Sequence, residues 1–323
     1  MLRTAARAVA VLCAVAVLCA VAACSASPGR TGPAQAASPS VRTSAVARTS
    51  AARPAASPAA SPKPTPAPVP PSVRVTRIRA ADGSVVTVAT FRGPVTYVLH
   101  DGSEDPGLAA GHVRAGPAVA GAERKRLLAA FNGGFKLSAG AGGYEQEGHV
   151  ASALRRGLAS LVIDRSGQAR IGVWGHGMPA PGEAVYSVRQ NLTPLVLHGR
   201  PTAAAADPGL WGATLGGGVD VARSAVGQDA AGDLEFAASM SASPADLAVA
   251  LARAGARIAM ELDINPEWVQ LDVASRPGGP LRVALPGQNR PADQFLLGWA
   301  RDFFAVLGPP AVTAAPARAH VRP

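Results

Sequence analysis

From Ser25 to Ser72 the chain contains no apolar residue larger than valine. A run of Ala, Pro, Ser and Thr with scattered Arg, such as "ASPAASPKPTPAPVPP", buries too little surface to offset the entropy of ordering it. Whatever core this 323-residue chain builds must therefore come from Val73 onward. Residues 24–72 read as a disordered, partly polyproline-II linker. At about 3.1 Å per residue it spans on the order of 100 Å.

Ahead of the linker, residues 1–23 read as a secretory signal. Arg3 and Arg7 supply the positive start, and "AVAVLCAVAVLCAVAA" is continuously apolar. The run is short for a membrane span and has no stop-transfer flank. It ends in Val21-Ala22-Ala23-Cys24, which resembles a bacterial lipobox and predicts lipidation of Cys24. The alternative is an ordinary signal or an uncleaved anchor with Cys24 incidental. Cys13, Cys19 and Cys24 are the only cysteines, so the mature domain is expected to lack disulfides, thiolate zinc sites and a cysteine nucleophile. The expected location is outside the cell, on the outer face of the membrane or in the wall, tethered through Cys24.

The net charge of +10 is concentrated at one end. Ten of the 31 Lys and Arg precede Ala81 and no acid precedes Asp82, so the remaining 21 cations meet 21 Asp and Glu. The folded part is formally neutral, which removes the support for a nucleic-acid partner. The basic arm suits an anionic membrane or wall surface.

Beyond Val73 the pattern is that of strands. "VRVTRIRAADGSVVTVATF" predicts a hairpin turning at Asp82-Gly83, and "VTYVLHDG" a third strand. "LASLVIDRSGQARIGVWG" predicts a hairpin at Arg165-Ser166-Gly167, and further strand pairs turn at His198-Gly199 and between Asp229 and Gly232. One helix is marked by Ser243 as N-cap, Pro244 at its first position, Asp246 in the first turn and Gly255 at its end. "RIAMELDI" follows as a strand with Ile258, Met260, Leu262 and Ile264 on the face packed against that helix and Glu261 and Asp263 on the other. The whole predicts an α+β fold, a strand-rich mixed sheet with few helices, over residues 73–307 and a disordered tail over 308–323.

Three stretches gather chemistry. In "RIAMELDINPEWV" the acids Glu261, Asp263 and Glu267, with Asn265, fall at alternate positions just after an apolar run. Carboxylates on an interior strand are costly unless paired or functional, although a solvated sheet face ended by Pro266 is the plainer account. In "AAFNGGFK", Asn132 ends a strand, Gly133 and Gly134 permit a sharp turn and close approach, and Lys136 follows. In "ARSAVGQDAAG", Arg223 enters a strand among small residues, where its guanidinium suits a bidentate pair with a phosphate or with a carboxylate such as Asp263. The six histidines show no metal-ligand spacing, and "GAGG" is not followed by the Gly-Lys of a P-loop. Trp268, beside the acidic strand, is either core or a sugar platform.

In order and spacing, "FNGGF", "LVIDRSGQARIGVWG", "RQNLTPLV" and "RSAVG", then a helix and a terminal acidic strand, resemble the phosphodiester glycosidase domain family. These are bacterial relatives of the N-acetylglucosamine-1-phosphodiester alpha-N-acetylglucosaminidase, the uncovering enzyme. The likeness runs from about Ala118 to Val269, and "AMELDINPEW" and "RDFFAV" resemble an actinobacterial branch. The resemblance implies hydrolysis of a sugar-1-phosphodiester in a cell-envelope glycan. It matches Asn132 and Gly133 to the family's NGG turn, Arg223 to its R-x-x-x-G strand and Asp263 to the aspartate of its LDGG turn. On this reading Asp263 and Glu261 are catalytic; Arg223, Asn132, Gly133, Lys136 and Asn265 bind substrate. No cofactor is required, while the same carboxylates also suit Ca²⁺ or Mg²⁺. The glycines and serine expected after the aspartate are replaced by Ile264, Asn265 and Pro266, which removes a backbone cradle for phosphate. A non-catalytic glycan-binding lipoprotein on the same fold is the alternative, and a purely structural envelope protein a third.

Overall fold

The computed structural model describes residues 72–108, 112–212 and 217–309. The signal, Cys24, the linker up to residue 71 and the tail beyond Pro309 lie outside the described residues. Among the described residues, strands form three antiparallel sheets accompanied by two α-helices, the strand-rich α+β arrangement the pattern predicts.

The first sheet has seven strands in the order Val73–Arg79, Val85–Phe91, Leu234–Ala242, Val221–Gln228, Ile258–Glu261, Val196–Leu197 and Arg200–Pro201. The second, of five, runs Leu281–Val283, Leu271–Ala274, Leu127–Asn132, Phe303–Leu307 and Thr96–His100. The third, also of five, runs His149–Ser152, Tyr144–Gln146, Ser187–Gln190, Ala159–Ile163 and Ala169–Val173. Each expected turn sits between paired strands. Arg79 faces Val85 across Asp82-Gly83, Ile163 faces Ala169, Leu197 faces Arg200 and Gln228 faces Leu234.

The Pro244–Ala254 helix begins at a capping box. The Ser243 hydroxyl accepts from the Asp246 backbone N–H at 3.2 Å, and the Asp246 carboxylate accepts from the Ser243 N–H at 3.1 Å. Gly255 closes the helix with φ +125°, a conformation that side chains resist. Leu247, Ala248, Ala250 and Leu251 form one buried cluster with Val86, Val88, Ala225, Ala237 and Ala259 of the first sheet. Alanines at the centre of the sheet let the helix approach closely. The opposite face of that sheet supplies Phe91, Phe236, Val226, Met260 and Leu262 to a larger core shared with both other sheets. At its centre Phe131 lies 4.8 Å from Phe236, 5.3 Å from Phe304 and 5.6 Å from Phe91, ring centre to ring centre.

This arrangement corrects one expectation. The strand after the helix turns Ala259, not Met260 and Leu262, toward the helix. The Glu261 face is therefore buried as deeply as the other, and regular pairing stops at Glu261. The expected faces follow from the alternation of large apolar residues with Glu261 and Asp263. The helix instead selects small ones, because bulk is needed on the side that meets two further sheets.

Glu235 is a cost carried by the first sheet. It is fully buried opposite Thr90 and Gly227, and neither carboxylate oxygen has a hydrogen-bond partner. Burial, reinforced by Asp229, raises its pKa to about 7. The native state thus holds the proton more tightly than the unfolded chain. Stability falls as pH rises from the ordinary value toward about 7 and is flat above it. The loss is on the order of 3 kcal/mol. Glu235→Gln is expected to melt higher than the wild type at about pH 8 and to show no such gain at about pH 4, read by thermal unfolding at the two pH values.

Candidate functional site

The site is assembled where the Leu127–Asn132 strand ends beside the Val221–Gln228 strand. The Asn132 side chain donates to the Ser224 hydroxyl at 2.8 Å and to the Gly133 carbonyl at 2.9 Å, and accepts from the Gln270 N–H at 3.1 Å. The same Ser224 hydroxyl accepts from the Asp263 N–H at 3.1 Å and donates to the Asp263 carbonyl at 3.2 Å. One hydroxyl therefore joins the NGG turn to the acidic strand, and Asn132 and Asp263 are brought together through it. Ser224 is a residue the sequence reading passed over, although it stands directly after Arg223.

The two glycines serve the residues behind them. A Cβ on Gly133 would stand 2.0 Å from the Asp302 carboxylate, and one on Gly134 would stand 2.7 Å from the Arg189 guanidinium carbon. Asp302 and Arg189 form a buried pair at 2.7 Å, with the Arg189 guanidinium also donating to the Gln190 and Phe135 carbonyls. The turn is stripped of side chains so that this pair can lie against its backbone.

Two further buried pairs complete the set. Arg223 meets Glu261 at 2.8 Å, and Arg301 meets Asp263 at 2.5 Å. They differ in what they face. The Arg223 guanidinium is 1% exposed, and it also donates to the carbonyls of Trp211, Ala242 and Val219. Burial pushes the Glu261 carboxyl upward and the Arg223 guanidinium pulls it back. Neither residue is among those lining the cavity that Asp263 borders.

Asp263 and Arg301 do line one. Together with Phe135, Lys136, Ile264 and Asn265 they border a cavity of about 580 Å³. One Asp263 oxygen accepts from the Ile264 and Asn265 N–H groups at 2.8 and 3.1 Å, and the other from Arg301. Burial raises the Asp263 pKa to about 6, an effect that Arg301 and those two N–H groups oppose. Arg301 also donates to the Gly134 carbonyl at 2.9 Å, while its Nε has no partner. Lys136 is exposed at the cavity.

The predicted residues thus fall into two groups. Asp263, Lys136 and Asn265 border the cavity; Asn132, Gly133, Arg223 and Glu261 lie behind it, buried and bonded to protein. Cys24 lies outside the described residues. Arg301 is the cation that sequence reasoning missed. Its signal is the "RD" that precedes the apolar "FFAVL", because a charged pair entering a buried strand needs partners.

Among the described residues, three carboxylates approach one another as ion ligands do, Asp82, Asp220 and Asp246, whose oxygens lie within 4.8 Å. Asp263 and Glu261 belong to no such group. No described helix is long and apolar enough to cross a membrane.

No protein-family profile matches the chain, and comparison with curated protein sequences finds no match. Several solved structures are similar in backbone, among them the following two. The zebrafish N-acetylglucosamine-1-phosphodiester alpha-N-acetylglucosaminidase catalytic domain, auto-inhibited by its pro-peptide, aligns over 76% of this chain and 85% of that one, at 15% identity and a TM-score of 0.47. A hypothetical protein from Synechocystis aligns over 73% of this chain and 62% of that one, at 16% identity and a TM-score of 0.44. The similarity to the glycosidase domain is distant and structural.

Proposed function

We propose that the chain is an exported, lipid-anchored hydrolase that cleaves a sugar-1-phosphodiester in a cell-envelope glycan. The observation that carries this reading is the Asp263–Arg301 pair, an acid and a guanidinium at 2.5 Å on the wall of one cavity. Hydrolysis breaks the bond between the anomeric carbon and the phosphate oxygen. Water adds to the carbon, its proton goes to Asp263, and the bonding electrons leave with the phosphomonoester. A phosphate is a good leaving group, so no strong general acid is needed. Arg301 and the exposed Lys136 offset the charge on the leaving phosphate, and Asn265 offers its amide to sugar or water. The apolar walls at Phe135 and Ile264 lower the local dielectric and strengthen these contacts. Arg223 and Glu261 act here as a buried strut that fixes the acidic strand. The anchor at Cys24 rests on the N-terminal sequence. Asp263 belongs to no group of ion ligands among the described residues and both its oxygens already meet protein donors, so the proposed reaction routes no step through Ca²⁺ or Mg²⁺.

The test is release of sugar from a synthetic N-acetylglucosamine-1-phosphodiester by the purified chain. With Asp263 as base, the rate rises with pH through about 6 and then levels, because the carboxylate must be ionised to accept a proton. A rate that falls across that range removes Asp263 from the role of base. A second reading, a glycan-binding protein without turnover, is favoured by one observation: both Asp263 oxygens are already engaged by protein donors. Sugar binding without release across a panel of phosphodiester donors selects it.

A further inference from the structure

The loop that leaves the cavity continues into a surface the proposed reaction does not use. Asn265 borders the cavity, its carbonyl accepts from the Trp268 N–H at 2.8 Å, and its side chain accepts from the Glu267 N–H at 3.0 Å. The Trp268 and Trp299 rings stand 5.5 Å apart at 52°. Arg290 lies 4.7 Å from the first ring centre and 4.6 Å from the second, and the Arg301 guanidinium is 5.8 Å from Trp268. The aromatic pair therefore adjoins the cavity through Arg301 and through the 265–268 turn.

Trp299 is 43% exposed, yet it is held firmly: its indole N–H donates to Glu104, and Arg290 stacks on it. Arg290 is in turn fixed by Glu267, through the carbonyl at 3.0 Å and the carboxylate at 3.4 Å. A ring immobilised in advance loses less entropy when a ligand binds against it. The cation that stacks on Trp299, Arg290, is matched by Glu267. The surface suits a ligand that is apolar on its faces and hydroxylated at its edge rather than an anion.

We propose that the Trp268–Trp299 surface is a second carbohydrate subsite, taking an uncharged sugar ring of an oligosaccharide that continues out of the cavity. A pyranose would present C–H groups to the exposed part of the Trp299 indole not covered by Arg290, with its hydroxyls toward Glu104, Glu267 and Asn289, whose amide donates to Glu267 at 3.0 Å. Placing the phosphodiester end in the cavity rests on the proposed hydrolase reading; the stacking surface stands on its own geometry.

The experiment titrates the full chain with uncharged tetrasaccharides of N-acetylglucosamine, glucose, mannose and galactose. It follows tryptophan fluorescence and binding heat, and assays cleavage of the small phosphodiester in parallel. At least one tetrasaccharide is expected to bind. Trp299→Ala should weaken that binding about tenfold or more without changing the circular dichroism, and Trp299→Phe should restore part of it. No binding by any tetrasaccharide, or equal binding by wild type and Trp299→Ala, overturns the subsite. Trp299-dependent binding without phosphodiester cleavage keeps the subsite and overturns the hydrolase reading. Cleavage with tetrasaccharide binding indifferent to Trp299 does the reverse.

Discussion

Asp263→Asn is expected to lower sugar release from the synthetic phosphodiester by at least about 100-fold, the usual range for losing a positioned base. The amide keeps an oxygen for the Ile264 and Asn265 N–H groups, so the loop retains its turn. It loses the negative charge opposite Arg301, which is buried and already lacks a partner at Nε. Some destabilisation therefore accompanies the change, and the kinetic assay needs circular dichroism and a melting curve beside it. The informative comparison is with Arg301→Lys. That variant keeps a positive charge but loses the planar fork that joins Asp263 to the Gly134 carbonyl. It should retain a measurable rate with weaker substrate binding, because Asp263 remains ionisable. Full activity in Asp263→Asn would dismiss the carboxylate as a reacting group.

Arg223→Met should lower stability by about 3–5 kcal/mol at about pH 10, above the raised Glu261 pKa of about 8, the usual consequence of stranding one charge of a buried pair. The loss should shrink at about pH 5. Burial already pushes the Glu261 carboxyl upward, its Oε2 has no partner, and without Arg223 nothing nearby opposes the shift. A carboxyl whose folded pKa is raised binds its proton better in the native state, so its penalty is absent at low pH and appears as pH rises. Urea unfolding at the two pH values measures the difference. An equal loss at both would mean that Glu261 reaches solvent once its partner is removed.

Much of the fold was legible because its signals are local. The Asp82-Gly83 hairpin and the Ser243–Gly255 helix each carry their own punctuation, and each appears where that punctuation lies. The faces of the Ile258–Ile264 segment were not. An alternating pattern says that two faces exist but not which neighbour each meets, and the preference of the helix for Ala259 depends on the alanines at 225 and 237 on adjacent strands. The site divides in the same way. Asp263, Lys136 and Asn265 were readable as polar residues beside turns. Which of Arg189, Arg223 and Arg301 meets which acid was not, because any of them could match Asp263 by type. Tertiary pairing decides it, and the cation that meets Asp263 lies 38 residues away.

Arg301 and Asp302 are consecutive, yet the first reaches Asp263 and the second reaches Arg189 behind the NGG turn. The chain bends at Asp302, just before the Phe303–Leu307 strand, and the two side chains leave it toward different partners. Alignment along the Phe303–Leu307 strand therefore works as a gauge for the cavity. Deleting or inserting a single residue there would exchange the two directions, setting a guanidinium against Arg189 and a carboxylate against Asp263. Composition would barely change, but both contacts would become repulsive together. Length at that point therefore bears on both ion pairs at once.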